Sequence, residues 1–392
     1  MRLFIANTVV IGRDGDGARP IMTPKTTGLA AVVSCALRLG AIAAIGFSWL
    51  TPAFVRHVQA ATSADVGQWG AAMGRTGLRR FYSTGGDLGE LVNRQLSYEL
   101  ANRTNSMYSE VEGRVLQWDT LHTVAPGMQR PLFLRGLVRA AKRSEPVKAN
   151  GTNDRLDLGM LYAPGRRSYV GFGLGFEHTE ADIKFVEGAT DGDALGPRID
   201  GGIVLSDTLA LGIRLEELHF DGENNVSVPT SGGLIRIDRE IEFRRRYLKL
   251  ELMSRYSRAQ FKRIPTGVQL GWMAGIQYLD TRYEPKLNSL GQAVAEPFGD
   301  HERLGIARAG LFSAVTLGEK NHWNANLELM ADYEIDTNLD YPIDDKTTRY
   351  IRAGVAYLVG PGKRIQLDYQ DFRSSRGYRE RKNLSLIFVF DF

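Results

Sequence analysis

The stretch 383-NLSLIFVFDF-392 decides how the rest of the chain is read. Leu384, Leu386, Phe388, Phe390 and Phe392 share one face of an extended strand, and Asn383, Ser385, Ile387, Val389 and Asp391 share the other. Side chains in a strand alternate with period two, so this pattern predicts a strand with one apolar face. Such a strand suits the last strand of a soluble sandwich, or a barrel whose apolar face meets lipid.

The same alternation recurs upstream. Val268, Leu270, Trp272, Ala274, Ile276 and Tyr278 alternate with Gln269, Gly271, Met273, Gly275 and Gln277. Leu209, Leu211, Ile213 and Leu215 alternate with Ala210, Gly212, Arg214 and Glu216. About twelve strands are predicted, near 131–142, 155–162, 169–185, 198–206, 208–221, 238–260, 267–283, 302–317, 322–335, 347–359, 364–374 and 382–392. Tight turns at 163–168, 206–208, 261–266, 318–321 and 360–363 take turns with longer polar stretches near 143–154, 186–197, 222–237, 284–301 and 336–346. Short turns at one end and long loops at the other are a property of outer-membrane barrels, whose strands alternate apolar-out and polar-in. The expected fold is therefore all-β: an antiparallel transmembrane β-barrel of about twelve strands with an N-terminal helical segment. In the sixth strand Ile241 and Phe243 fall out of phase with Leu248, Leu250 and Leu252. A bulge at Arg244, Arg245 and Arg246, or a hairpin protruding beyond the bilayer, is the expected repair.

Composition agrees with an exported barrel. The 392 residues are 43% hydrophobic and 24% charged, and 49 basic residues nearly balance 45 acidic ones. That balance does not demand nucleic acid or another polyanion as partner. Cys35 is the single cysteine, which excludes an internal disulfide and a cysteine-based zinc site. Residues 1–60 read as a signal peptide with an N-terminal extension. Lys25 and Arg38 precede the apolar run Leu39–Leu50, and Val58-Gln59-Ala60 offers a small-residue cleavage pattern. Met22 is an alternative start to Met1. The apolar run is shorter than the ~20 residues that span a bilayer as a helix. The expected location is the outer membrane of a Gram-negative bacterium, reached through a cleaved signal peptide.

Residues 61–130 differ from the barrel at 131–392. Asp87 is placed to cap a helix carrying Leu88, Leu91, Val92, Leu96 and Leu100, and the pattern resumes at Val111, Val115 and Leu116. About thirty helical residues would extend ~45 Å, enough to thread a pore. Their polar positions, Asn93, Arg94, Glu99, Arg103, Glu110 and Arg114, suit a wet lumen. A small periplasmic helical segment is the other reading.

With that helix and the hairpin 205-LSDTLALGIRLEELHFDGENN-225, the chain resembles the translocator domain of autotransporters, a twelve-stranded barrel preceded by a pore-threading helix. The resemblance implies that the terminal aromatics Phe388, Phe390 and Phe392 form a signal read by barrel-assembly machinery. The family usually carries a passenger of hundreds of residues, whereas about 26 separate Ala61 from Asp87. No adjacent asparagine pair of the kind some members cleave is present in the helix; Asn102 and Asn105 stand apart. A porin-like channel for small polar solutes is the alternative.

The histidines are the residues best suited to catalytic chemistry in a barrel wall. His178, His219, His301 and His322 have Glu180, Asp221, Arg303 and Asn324 two residues on, so none has a hydroxyl nucleophile beside it on the strand face. His219 and Asp221 form the nearest base-and-orienter pair. No enzyme activity, cofactor or defined metal site is expected; Asp191, Asp193, Asp340, Asp344 and Asp345 match no calcium-loop spacing. Arg214, Glu216, Lys249, Glu251, Arg255, Glu328, Asp332, Arg352 and Asp368 are expected to line the lumen, since Arg or Lys facing mid-bilayer lipid costs ~2–4 kcal/mol. Arg244, Arg245 and Arg246 are expected to meet lipopolysaccharide phosphates. Outer-membrane lipid, lipopolysaccharide and the assembly machinery are the expected partners of a monomer.

Overall fold

The computed structural model describes residues 69, 72, 73, 76 and 78, then 86–104, 109–124, 132–145, 148–184, 187–294, 296, 299–318, 322–339, 345–360 and 362–391. The expectations for 1–60, including Cys35, Met22 and Ala60, lie outside these residues, as do those for Phe392, Asp340 and Asp344.

Among the described residues, helix α1 spans Gly86–Thr104 and precedes thirteen strands. These are β1 Ser109–Thr123, β2 Leu132–Glu145, β3 Ala149–Gly165, β4 Ser168–Ile183, β5 Gly188–Val204, β6 Leu209–Thr230, β7 Gly233–Tyr256, β8 Val268–Tyr283, β9 His301–Leu317, β10 Trp323–Thr337, β11 Thr347–Gly360, β12 Lys363–Ser374 and β13 Arg379–Asp391. Each strand pairs antiparallel with the next, and β1 closes the barrel by pairing parallel with β13, from Ser109 opposite Arg379 to Leu121 opposite Asp391. The end where β13 finishes is the lower end of the barrel, and the opposite end is the upper.

The strand count corrects the expected twelve to thirteen. The extra strand is β1, drawn from the stretch read as helix. Val111 and Val115 are four residues apart, a spacing that fits a helix face and also one face of a strand. In the structure Val111 faces inward, while Glu110, Glu112 and Arg114 alternate with it on the outside. The charged outer face hid the strand, and Glu110 and Arg114 do not line the interior. Helix α1 is 19 residues, about 28 Å, rather than thirty.

The odd count has a topological consequence. An even number of antiparallel strands returns the chain to the end where the barrel began, whereas thirteen make the first and last strands parallel. The chain therefore enters β1 at the upper end and leaves β13 at the lower end. Ahead of α1, Trp69 stacks on Phe133 at 4.6 Å and donates to the Ser168 carbonyl at 3.2 Å, both at the lower end. Gly202 leaves the room that Leu78 occupies there; a Cβ would lie 2.7 Å from the leucine. The chain thus runs from the lower mouth, up the interior as α1, and down again as β1.

The contrast of short turns and long loops needs a second correction. Most of the polar stretches read as loops are strand: β5 covers 188–204, and β6 and β7 pair without a break from Leu209 opposite Ser254 to Thr230 opposite Gly233. Asp191 and Asp193 accordingly lie on β5. Only 284–300 and 338–346 remain long upper connections among the described hairpins.

The expected bulge near Arg245 is absent, because the β6–β7 register is continuous. Ile241, Phe243, Arg245, Tyr247, Lys249, Glu251 and Met253 all point inward, and Leu248, Leu250 and Leu252 point outward with Arg244 and Arg246. Side-chain direction never changes phase; polarity does. Below Tyr247 the leucines face out while Lys249 and Glu251 face in beside Met253, and above it Ile241 and Phe243 face in.

Candidate functional site: the barrel interior and its two zones

The inversion extends across β5–β9. In the lower zone the outer face is aliphatic and aromatic, with Leu116, Phe172, Leu174, Ile199, Ile213, Leu311, Leu329, Ile351, Leu367 and Leu384 exposed. Its upper edge is a belt of outward charges, often on directly paired residues: Arg114 opposite Lys142, Asp154 opposite His178, and His178 opposite Asp193. The belt continues through Glu217, Arg246, Asp280 and Arg303, each opposite the next, and through Asp371 opposite Lys382. On β8 the apolar face runs from Val268 to Tyr278. At ~3.3 Å per residue and a ~40° tilt this band is about 28 Å tall, close to the ~25 Å of outer-membrane barrels. Aromatics mark its lower edge: Trp118 stacks on Phe390 at 4.9 Å and Phe388 at 6.0 Å, and Trp323 meets Tyr357 at 4.9 Å.

Inside the lower zone the walls are ionic. A tripeptide of basic residue, Leu or Ile, and acid recurs on four strands: Arg155-Leu156-Asp157, Arg198-Ile199-Asp200, Arg214-Leu215-Glu216 and Lys249-Leu250-Glu251. On a strand this spacing turns both charges inward and the aliphatic residue outward. Arg155 meets Asp157 at 2.7 Å, Arg198 meets Asp200 at 3.2 Å, Arg214 pairs with Glu216, and Lys249 meets Glu251 at 3.0 Å. The pairs are cross-linked: Arg155 also reaches Glu216 and Glu177, Arg198 reaches Asp157 at 3.2 Å, and Arg135 reaches Asp200 at 3.0 Å. Across the barrel Arg352 meets Asp368 at 2.5 Å and Glu328 at 3.7 Å. Arg255 lies 4.8 Å from the Phe312 ring centre. Of the residues named from sequence, Arg214, Glu216, Lys249, Glu251, Glu328, Asp332 and Asp368 are buried, and Arg255 and Arg352 are partly buried on the same inner face. Arg135, Arg155, Asp157, Arg198, Asp200 and Arg308 were missed, although the repeated tripeptide would have revealed four of them.

Inside the upper zone the core is apolar. Ala194, Leu218, Phe220, Phe243, Tyr247, Leu279, Leu304, Ile306 and Leu339 cluster with Leu88, Leu91 and Tyr98 of α1. Phe220 stacks on Phe243 at 4.4 Å. The helix is also held by polar contacts to widely separated strands. Arg94 meets Asp332 at 2.9 Å and Glu334 at 3.5 Å, and the Tyr98 hydroxyl donates to Glu334 at 2.8 Å. Gln95 donates to Glu302, Arg308 meets Glu90 at 3.1 Å, and Arg143 donates to Asn93 at 2.8 Å. Contacts to β2, β9 and β10 from one helix place α1 within the barrel.

The three consecutive arginines do not form one surface. Arg244 and Arg246 face outward and meet Glu217 at 3.6 and 2.7 Å. Arg245 turns inward to Glu177 at 3.4 Å and lies 4.8 Å from the Phe243 ring centre, so strand alternation removes it from any outer contact. His219 pairs with Glu217 at 3.2 Å. On the outer belt His178, Glu180 and Asp191 bring ligand atoms within 4.8 Å of one another. Asp345 accepts from Ser375 at 2.9 Å. At the upper turns, burial holds the Lys148 ammonium below the usual lysine range while Glu145 works the other way, and a hydrogen bond to Glu242 raises Lys286.

These features define a closed β-barrel with an internal helix. Solved structures to which the chain is similar include the β domain of the Bordetella autotransporter Brka, at TM-score 0.47 and 18% identity over 62% of this chain and 92% of that one. They also include the translocator domain of the autotransporter NalP from Neisseria meningitidis, at TM-score 0.45 and 12% identity over 58% and 76%. The toluene transporter TodX of Pseudomonas putida is similar at TM-score 0.39 and 12% identity, over 67% and 81%. No protein-family model and no curated protein matches the chain.

Proposed function

We propose that this chain is an outer-membrane β-barrel whose lumen is closed by its own helix α1. The polarity inversion carries the reading. An apolar outer band about 28 Å tall over a charged interior suits lipid, and a charged outer face over an apolar interior suits water. The upper zone then stands above the bilayer, and the long upper connections 284–300 and 338–346 fit an extracellular side. Arg114, Lys142 and Arg246 on the belt are placed for lipopolysaccharide phosphates. The Trp118, Phe388 and Phe390 cluster at the lower edge fits an assembly signal read from the periplasm.

Helix polarity separates this reading from passenger export. Trp69 and Leu78 sit at the lower mouth, the end where β13 finishes. A passenger attached there would lie on the periplasmic side. The barrel is therefore translocator-like in form and self-plugged in use. A porin-like channel is the second reading, favoured by the polar interior beneath α1.

Single-channel conductance in planar bilayers tests the proposal on the full chain and on a deletion of 61–104, which retains β1. The expected result is a nearly silent full chain and a conducting deletion. Equal conductance would install the channel reading, and failure of both to insert would sink the membrane assignment.

A further inference from the structure

Where the upper half of α1 meets β8 and β9, two carboxyl groups lie side by side. Glu302 of β9 is 1% exposed, and Glu99 of the helix lies within hydrogen-bond reach of it. The Tyr283 hydroxyl stands between them, 3.5 Å from Glu99 Oε1 and 3.3 Å from Glu302 Oε2. Gln95 donates to the same Glu302 oxygen, and the Thr281 hydroxyl donates to Gln95 at 3.3 Å. The other Glu302 oxygen, Oε1, is buried without a partner. The site sits just above the charged belt, since Thr281 and Glu302 pair one residue above Asp280 and Arg303.

Two ionised carboxylates would leave this site one hydrogen short. The phenol has a single proton and can serve only one of its two carboxyl neighbours. Burial and both carboxyls hold that proton on Tyr283, well above the usual tyrosine range. Among the described residues neither carboxyl forms an ion pair with an ammonium or guanidinium. The bases that face the site are engaged elsewhere. Arg143 of β2 acts on Glu99 through space but donates to Asn93, and Arg245 of β7 acts on Tyr283 but meets Glu177. Beside them, Arg94 and Arg379 are drawn to Glu334, and Arg239 to Glu296 of the upper connection. Two like charges this close in a buried site resist joint ionisation, so one carboxyl keeps its proton and donates it to the other. Burial, and then the Glu99 carboxyl, push Glu302 up to about 8 from the usual 4.5, against the hydrogen bonds from Gln95 and Tyr283.

We propose that Glu99 and Glu302 share one proton as a latch between α1 and β9, and that mild alkali at the upper end frees the helix by removing it. The proposal rests on the plug reading, because α1 is the element released. Deprotonation passes the proton to water and leaves two carboxylates facing each other. A cavity of about 190 Å³ lined by Glu99, Gln95 and Tyr283 has room for that water. With α1 docked, Glu302 holds its proton up to about 8; with α1 displaced and the carboxyl in water, it releases it near 4.5. The latch is therefore fully closed below 4.5 and is lost as pH rises to about 8, by up to ~tenfold in the docking equilibrium per pH unit.

Infrared spectroscopy of the full chain in lipid vesicles reads the shared proton, and single-channel conductance reads the latch. A protonated-carboxyl carbonyl band at about pH 6 that titrates away toward about pH 9 is expected, and its loss in E302Q assigns it to Glu302. Open probability should rise about tenfold or more over the same interval in the unaltered chain and stay flat in E302Q, whose amide still donates a hydrogen bond. E99Q, at a half-buried position, is the safer variant; it removes the neighbouring charge and should move the transition to lower pH. A carbonyl band that E302Q leaves unchanged overturns the inference, as does a rise in conductance that both variants keep in full. The plug is judged apart from the latch. A full chain that conducts freely at about pH 6 while showing the Glu302 band sinks the plug, and a full chain still silent at about pH 9 sinks only the latch.

Discussion

On β6, Arg214 and Glu216 face inward while Ile213 and Leu215 face outward; a few residues higher, Leu218 and Phe220 face inward while Glu217 and His219 face outward. The two stretches share one strand, one register and one set of side-chain directions. They differ in which face is apolar. Glu216 and Glu217, adjacent and pointing opposite ways, mark the changeover, and Leu248 beside Tyr247 marks it on β7. The comparison teaches that a strand's geometry and its solvent are independent: the backbone sets the faces, and the surroundings of each segment set which face is apolar. The upper zone is built as an ordinary water-soluble core, and the lower zone as that core turned inside out.

Disturbing the two zones should expose their different supports. The largest effect is expected in the lower interior. Arg155 is 1% exposed and holds Asp157, Glu216 and Glu177, so R155Q strands buried carboxylates and should cost about 3–5 kcal/mol in denaturant unfolding from lipid vesicles. Next comes the upper interior. F243A removes a ring stacked on Phe220 and packed beneath α1, and should cost about 3 kcal/mol, at the lower end for a buried Phe because the site borders a cavity. In the lower outer face, L250R places a guanidinium against the bilayer and should cost about 2–4 kcal/mol. The smallest change is expected in the upper outer face, where R246L removes an exposed ion pair with Glu217 and should leave the unfolding midpoint within error. A large loss for R246L together with a negligible one for L250R would place the bilayer at the wrong height and break the two-zone assignment.

The tripeptide wall sharpens the same contrast. Its charges pair locally, two residues apart, whereas the helix contacts join residues far apart in the chain, such as Arg94 with Asp332. Local pairs are visible to anyone reading with period two. Long-range pairs depend on where α1 lies, and no spacing reports that.

Twelve of the strands were readable because alternation in the lower zone is unbroken: β8, expected at 267–283, occupies Val268–Tyr283. The inward direction of Arg214, Glu216, Lys249 and Glu251 follows from the same period and from the cost of charge against lipid. Four matters needed the tertiary structure. The strand character of 109–123 was masked because Val111 and Val115 fit two periods at once. The phase change at Tyr247 read equally as a bulge or as a hairpin protruding beyond the bilayer, and only the continuous β6–β7 register decides against the bulge. Arg245 was grouped with its neighbours although alternation sends it to the opposite face. The direction of α1 depends on strand parity, which one unrecognised strand reverses. Local pattern, by itself, determined an all-β barrel with charged tripeptides turned inward, because side-chain period is a property of the backbone alone. Only closure of the sheet decided that β1 meets β13, that α1 rises from the lower mouth, and at what height inside and outside exchange polarity, because those depend on neighbours hundreds of residues away and on the solvent each zone meets.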